Sequence, residues 1–69
     1  MVIRCDKFKN DTFGLKLDKY LDTYFVTLIE YRDAGNVILD RKSTTSNLFE
    51  ALVTYQCWFE KLSKVDHFN

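Results

Sequence analysis

Residues 24–42 read YFVTLIEYRDAGNVILDRK, and this stretch decides the fold. Residues 24–32 concentrate aromatic and β-branched side chains, the types that fit a pleated surface. Asp33-Ala34-Gly35 supplies turn chemistry, with Gly35 suited to the left-handed backbone that closes a three-residue hairpin loop. Residues 36–42 then return as the next strand. Closing the hairpin this way pairs Arg32 with Asn36, Tyr31 with Val37 and Ile29 with Leu39. Odd-numbered positions share a face, so Phe25, Ile29, Tyr31, Val37 and Leu39 are expected in the core. A two-residue turn would shift the register by one and mix the faces; it segregates the apolar residues less well and ranks second.

Working outward, residues 2–8 (VIRCDKF) read as a short strand, followed by a polar turn at residues 9–12. Residues 13–17 (FGLKL) alternate, with Phe13, Leu15 and Leu17 on one face and Gly14 and Lys16 on the other. Residues 18–23 (DKYLDT) form a polar connection with room for one helical turn. After the hairpin, residues 43–46 (STTS) are turn-prone, and Asn47 with Glu50 three residues on fits a looser capping box. A helix over residues 47–64 follows. Leu48, Leu52, Tyr55, Phe59 and Leu62 make its buried stripe, widened by Ala51 and Trp58 on one side and by Phe49 and Val53 on the other. Glu50, Thr54, Cys57, Lys61 and Lys64 take the opposite face. Residues 66–69 are read as a frayed tail. The expected fold is α+β: one domain over residues 1–69, a three- or four-stranded antiparallel meander with a C-terminal helix on one face.

Composition sets the limits. Sixty-nine residues, 46% hydrophobic and 16% aromatic, carry too much apolar surface for a disordered chain and too little length for two domains. Ten basic residues balance ten acidic ones, which argues against a generic nucleic-acid binder relying on excess positive charge. No run of about 18 apolar residues offers a membrane span. Early charges interrupt any signal-peptide core, so the expected location is the cytoplasm of the host cell. Cys5 and Cys57 match no zinc spacing and read as free thiols.

Catalytic constellations are weak. Cys57 with Lys61 one helical turn away is the best nucleophile–base pair, and it reads more simply as a small residue at a tolerant surface position. His67 is the lone histidine and sits in the tail. Asp18 with Asp22, or Asp6 with Asp11, offers paired carboxylates without a pocket to shift their pKa values. There is no glycine-rich phosphate loop and no metal-ligand cluster. The reading is therefore not an enzyme, with no cofactor and no metal.

The informative feature is the even-numbered sheet face. If odd positions are buried, Tyr24, Val26, Leu28 and Ile38 form an outward apolar patch rimmed by Glu30, Arg32, Asp40 and Lys42, as at a protein-binding surface. The competing reading is that the N-terminal segment covers this patch or that it is ordinary scattered surface apolarity. Trp58 reads first as core and second as an interface anchor. The wide helical arc also allows a homodimer through Phe49, Val53 or Trp58.

Two resemblances follow from these patterns. YFVTLIEYRDAGNVILDRK followed by NLFEALVTYQCWFEKL resembles the arm-type DNA-binding domain of tyrosine-recombinase integrases. That resemblance implies a three-stranded sheet in the major groove, with Arg32, Arg41 or Lys42 outward. By size and architecture the whole chain resembles the small inhibitor proteins of phages and mobile elements, anti-CRISPR proteins among them. The leading expectation is a viral or phage protein that binds a host protein or ribonucleoprotein complex. It would inhibit a defence or nucleic-acid-processing complex by steric occupation; the integrase-arm DNA-binding module is the alternative.

Overall fold

The alternation of Phe13, Leu15 and Leu17 with Gly14 and Lys16 settles which side of the sheet the helix covers. A computed structural model describes the backbone of residues 1–67 and the side chains of residues 1–64. Strands β1 (Val2–Phe8), β2 (Phe13–Tyr20), β3 (Thr23–Glu30) and β4 (Val37–Thr45) form one antiparallel sheet in the order β1-β2-β3-β4, and helix α1 (Leu48–His67) packs against it. The α+β meander with a C-terminal helix is the architecture the sequence implies.

Only Leu21 and Asp22 separate β2 from β3, so Tyr20 stands opposite Thr23 and the pairing continues without interruption. Leu17 then faces Val26, Leu15 faces Leu28 and Phe13 faces Glu30. Directly opposed residues point to the same side of a sheet. The odd positions of β2 therefore share a face with the even positions of β3. Leu15 and Leu17 are 0% exposed and Val26 is 2% exposed. With Phe8, Ala51 and Tyr55 they make the core, and Phe13, Tyr24, Trp58, Phe59 and Leu62 pack around it.

This reverses the face expected from the hairpin. Val26 is central core rather than patch, and Tyr24 and Leu28 are half-buried on the helix side. Ile29 is buried on the other side, beneath the sheet, and Phe25 is half-buried there. Leu39 is largely exposed. The physical reason is the turn at Leu21–Asp22. Leu21 adopts a left-handed backbone (φ 55°) without the Asn-Gly or Asp-Gly signature that usually marks a two-residue hairpin. Read as a polar connection, it hides the parity that ties β3 to the amphipathic β2.

The β3–β4 register is a separate matter. From Thr23 to Leu28 the pairing follows the expected closure, with Leu28 opposite Asp40 and Val26 opposite Lys42. A register shift between Leu28 and Ile29 then sets Ile29 opposite Ile38 and Glu30 opposite Val37. The loop is thus residues 31–36 rather than three residues. Its turn survives as read: the Gly35 N–H donates to the Arg32 carbonyl at 3.1 Å, and Gly35 has φ 130°.

Strand β1 matches the expected bounds; β2 and β4 run further than read, to Tyr20 and Thr45. At the helix start, the Glu50 N–H donates to Asn47 Oδ1 at 3.0 Å, the cap the sequence indicates. The buried stripe is rotated from the expected one. Ala51, Thr54 and Tyr55 are buried, whereas Leu48 and Leu52 are about 40% exposed. Small Ala51 and Thr54 let the helix approach the sheet, so the stripe centres between them and the larger leucines fall at its margin. Helical backbone continues through Asp66 and His67, where the sequence implies a frayed tail; Phe68 and Asn69 lie outside the described residues.

The face assignment makes a sharp prediction. Val26→Lys places an unpaired ammonium in the core, at a cost of several kcal/mol that exceeds the margin of a domain this small. Ile38→Lys, at a site 53% exposed, changes stability by no more than about 0.5 kcal/mol. Circular dichroism with urea unfolding of the two variants reads the difference.

Candidate functional site

Neither side of the sheet presents the patch drawn from the sequence. Of its eight residues, Tyr24, Val26, Leu28, Glu30, Asp40 and Lys42 lie on the helix side by their pairing with β2 and β3. Arg32 sits in the 31–36 loop and pairs with Glu30, its Nη2 2.5 Å from Oε1. Ile38 lies on the open side, opposite Ile29. The structure does not bring these eight together.

What the open side carries instead is a layer of long side chains lying on rings. Lys7 sits 5.1 Å from the centroid of Tyr31, and Arg41 sits 5.4 Å from that of Phe25. Arg41 Nε also donates to Thr27 Oγ1 at 3.3 Å, and Thr27 is only 1% exposed although it faces away from the helix. Tyr31 is drawn over Gly14, where an added Cβ would come within 2.5 Å of the phenol oxygen. The Tyr31 N–H donates to the Thr12 carbonyl at 2.8 Å and holds the chain there. Lys16 pairs with Asp18 at 3.4 Å. Pairing thus puts Lys7, Lys16 and Arg41 on this side, with Asp18 as the acidic strand residue among them. Sequence reading missed this face because it followed from the hidden β2–β3 parity, although Lys16 already alternated away from Leu15 and Leu17.

A second surface is apolar. The Lys19 N–H donates to the Met1 carbonyl, and the Ser46 N–H donates to the Asp22 carbonyl. These bonds gather the start of β1, the β2–β3 turn and the start of α1 at one end of the domain. Among the described residues eleven large hydrophobics are exposed; Leu48, Phe49, Leu52 and Val53 adjoin one another on the first two turns of the helix, Met1, Ile3 and Leu21 lie near this end, and Val2 and Tyr20 share the open sheet side with Asp18. Phe49, at 76% exposure, is the most exposed on the helix. The arc of Phe49 and Val53 was visible in the sequence; the contribution of Leu48 and Leu52 came only with the rotated stripe.

Beneath both surfaces lies the joint between helix and sheet. The Tyr55 hydroxyl donates to Asp6 Oδ2 at 2.5 Å and lies 3.0 Å from the Leu15 carbonyl oxygen. Arg4 pairs with Asp6 at 2.9 Å and lies over both the Tyr55 and Phe59 rings. Burial, and then the bond to Asp6, pushes the Tyr55 pKa well above the ordinary tyrosine value. Of the candidate catalytic groups, Cys5 and Cys57 are free, exposed thiols, Asp6 serves this joint, and Asp18 pairs with Lys16. The backbone carbonyl of Asp22 anchors the turn. Among the described residues no group of three or more His, Cys, Asp or Glu is placed to hold a metal ion. No described helix is long and apolar enough to cross a membrane.

The chain matches no protein-family model, no curated protein and no solved structure.

The joint has a pH signature. A hydroxyl whose folded pKa is raised contributes its full stability below the unfolded value of about 10 and loses it as pH rises through that value toward the folded one. Urea unfolding between pH 8 and 12 therefore shows a decline, approaching about 1.4 kcal/mol per pH unit for this one proton, that Tyr55→Phe lacks. At pH 7 the same variant is less stable by about 1–3 kcal/mol, because the Asp6 and Leu15 oxygens lose their donor.

Proposed function

We propose that this chain is a non-enzymatic binding protein that acts by occupying a surface of a larger partner. In its narrowest form it is a phage- or mobile-element-encoded inhibitor, anti-CRISPR-like, of a host defence or nucleic-acid-processing complex in the host cytoplasm. The observation that carries the reading is the run of exposed apolar side chains on the first two turns of the helix, where Leu48 and Leu52 form one i, i+4 row and Phe49 and Val53 the next. Exposed apolar surface that is contiguous rather than scattered marks contact sites on small soluble domains. Aromatic anchors such as Phe49 supply most of the binding free energy at such sites. The contact surface therefore moves from the even sheet face, which holds the core, to the helix end.

Capture from a nuclease-treated bacterial lysate tests this with three tagged proteins. Wild type and Ile38→Glu are expected to retain a protein partner that Phe49→Glu loses, with all three folded by circular dichroism. Retention by Phe49→Glu would contradict the proposal. So would a dimer of the wild type in sedimentation that Phe49→Glu dissociates, since the surface would then belong to a second copy.

One observation favours the DNA-binding alternative. With Glu30 and Asp40 on the helix side, the open sheet face carries Lys7, Lys16 and Arg41 against Asp18. If those three cations track phosphates, raising salt from 50 to 200 mM weakens duplex DNA binding by about 40-fold. Fluorescence anisotropy with labelled duplex reads this. Absence of binding at 50 mM would exclude the module.

A further inference from the structure

On the flank of the helix facing β4, an open cleft of about 220 Å³ is lined by Leu28, Asp40, Trp58, Lys61 and Leu62. We propose that this cleft receives an arginine side chain of the partner protein; the inference rests on the protein-binding reading above and names the chemistry of the partner's anchor. A cleft lined by five side chains suits one long side chain rather than a peptide segment or a nucleotide.

Its walls are complementary to a guanidinium on an aliphatic stem. Leu28 and Leu62 are half-buried and offer an apolar wall for the methylenes. Trp58 is held in place by packing on the core and offers an indole, the ring that attracts cations most strongly. Elsewhere the protein uses this contact repeatedly: Arg4, Lys7, Lys19 and Arg41 lie over Tyr55, Phe59, Tyr31, Tyr24 and Phe25. Trp58 has no such cation from the described residues. Asp40, also on the cleft, has a carboxylate fixed by the Arg41 N–H, which donates to its Oδ1 at 2.8 Å. It forms no ion pair with another described side chain. A flat guanidinium can stack on the indole while its edge donates to that carboxylate, a combination an ammonium cannot reproduce. Lys61, on a long exposed stem, competes for Asp40 and swings into solvent when the cleft fills.

Trp58 is the single tryptophan in the chain and reports occupancy by fluorescence. The probes are three capped tripeptides, acetyl-Gly-X-Gly-amide, with X arginine, citrulline or glutamate. The arginine peptide is expected to produce a saturable change with a dissociation constant on the order of 10 mM, as befits a single side chain. Citrulline, its neutral isostere, and glutamate bind at least about fivefold more weakly. Asp40→Asn weakens the arginine peptide by about fivefold, and Lys61→Gln tightens it by about twofold. A glutamate peptide that binds as well as arginine, an Asp40→Asn variant that binds unchanged, or no saturable response to 100 mM would each overturn the proposal. The titration needs no partner, and Phe49→Glu leaves it unchanged. Its failure therefore removes the arginine site alone, whereas failure of the capture experiment removes the reading on which it rests.

Discussion

Every consequence in this domain descends from a parity constraint. A two-residue turn at Leu21–Asp22 ties the odd positions of β2 to the even positions of β3 on one side of the sheet. Because Leu15 and Leu17 can only be core, Val26 must join them, and the helix must come down on that side. Tyr55 completes the arrangement. Its ring fills the interface, and its hydroxyl reaches across to Asp6 on β1 and the Leu15 carbonyl on β2. Rotating the helix or slipping the register by one residue would orphan those acceptors as well as expose the leucines.

A single helix cannot cover both sides of a four-stranded sheet. The open side is instead covered by its own long side chains. Tyr31 folds over Gly14, Arg41 over Phe25 and Thr27, and Lys7 over Tyr31, and Thr27 and Ile29 are buried on this side. Amphipathic side chains do this well, because their methylenes cover apolar surface while the charge stays in water. The outer rows of the first two helix turns, Leu48, Phe49, Leu52 and Val53, have no such cover among the described residues.

Much of this was legible in the residues. The β1 strand, the alternation in β2, the Gly35 turn and the Asn47 cap each rest on local chemistry, and each stands where the sequence puts it. The reversal of the sheet faces has one origin. Tyr20-Leu21-Asp22-Thr23 lacks glycine and asparagine, so its two-residue turn has no local signal, although Leu21 pays for it with a left-handed backbone. Missing that turn left the faces of β3 to be judged from the hairpin alone, where aromatic and aliphatic residues occupy both parities. The proposed sheet patch inherited the error. The register shift between Leu28 and Ile29 was equally silent, since nothing in Ile38-Leu39-Asp40 distinguishes a bulge from regular strand. The helix rotation depended on how closely Ala51 and Thr54 let it approach, which is a property of the packed pair of layers and of neither sequence segment alone.

The functional account follows from the same geometry: a covered sheet, a bare helix end and a cleft beside Trp58 are what remain once Val26 is committed to the core. The side of the sheet on which the helix lies is therefore the claim to test first. Nuclear Overhauser contacts from the ring protons of Tyr55 decide it directly. The account predicts contacts to the methyl groups of Leu15, Leu17 and Val26, and none to Ile29. Contacts to Ile29 in place of Val26 would put the helix on the opposite face and return the contact surface to the even positions of the sheet.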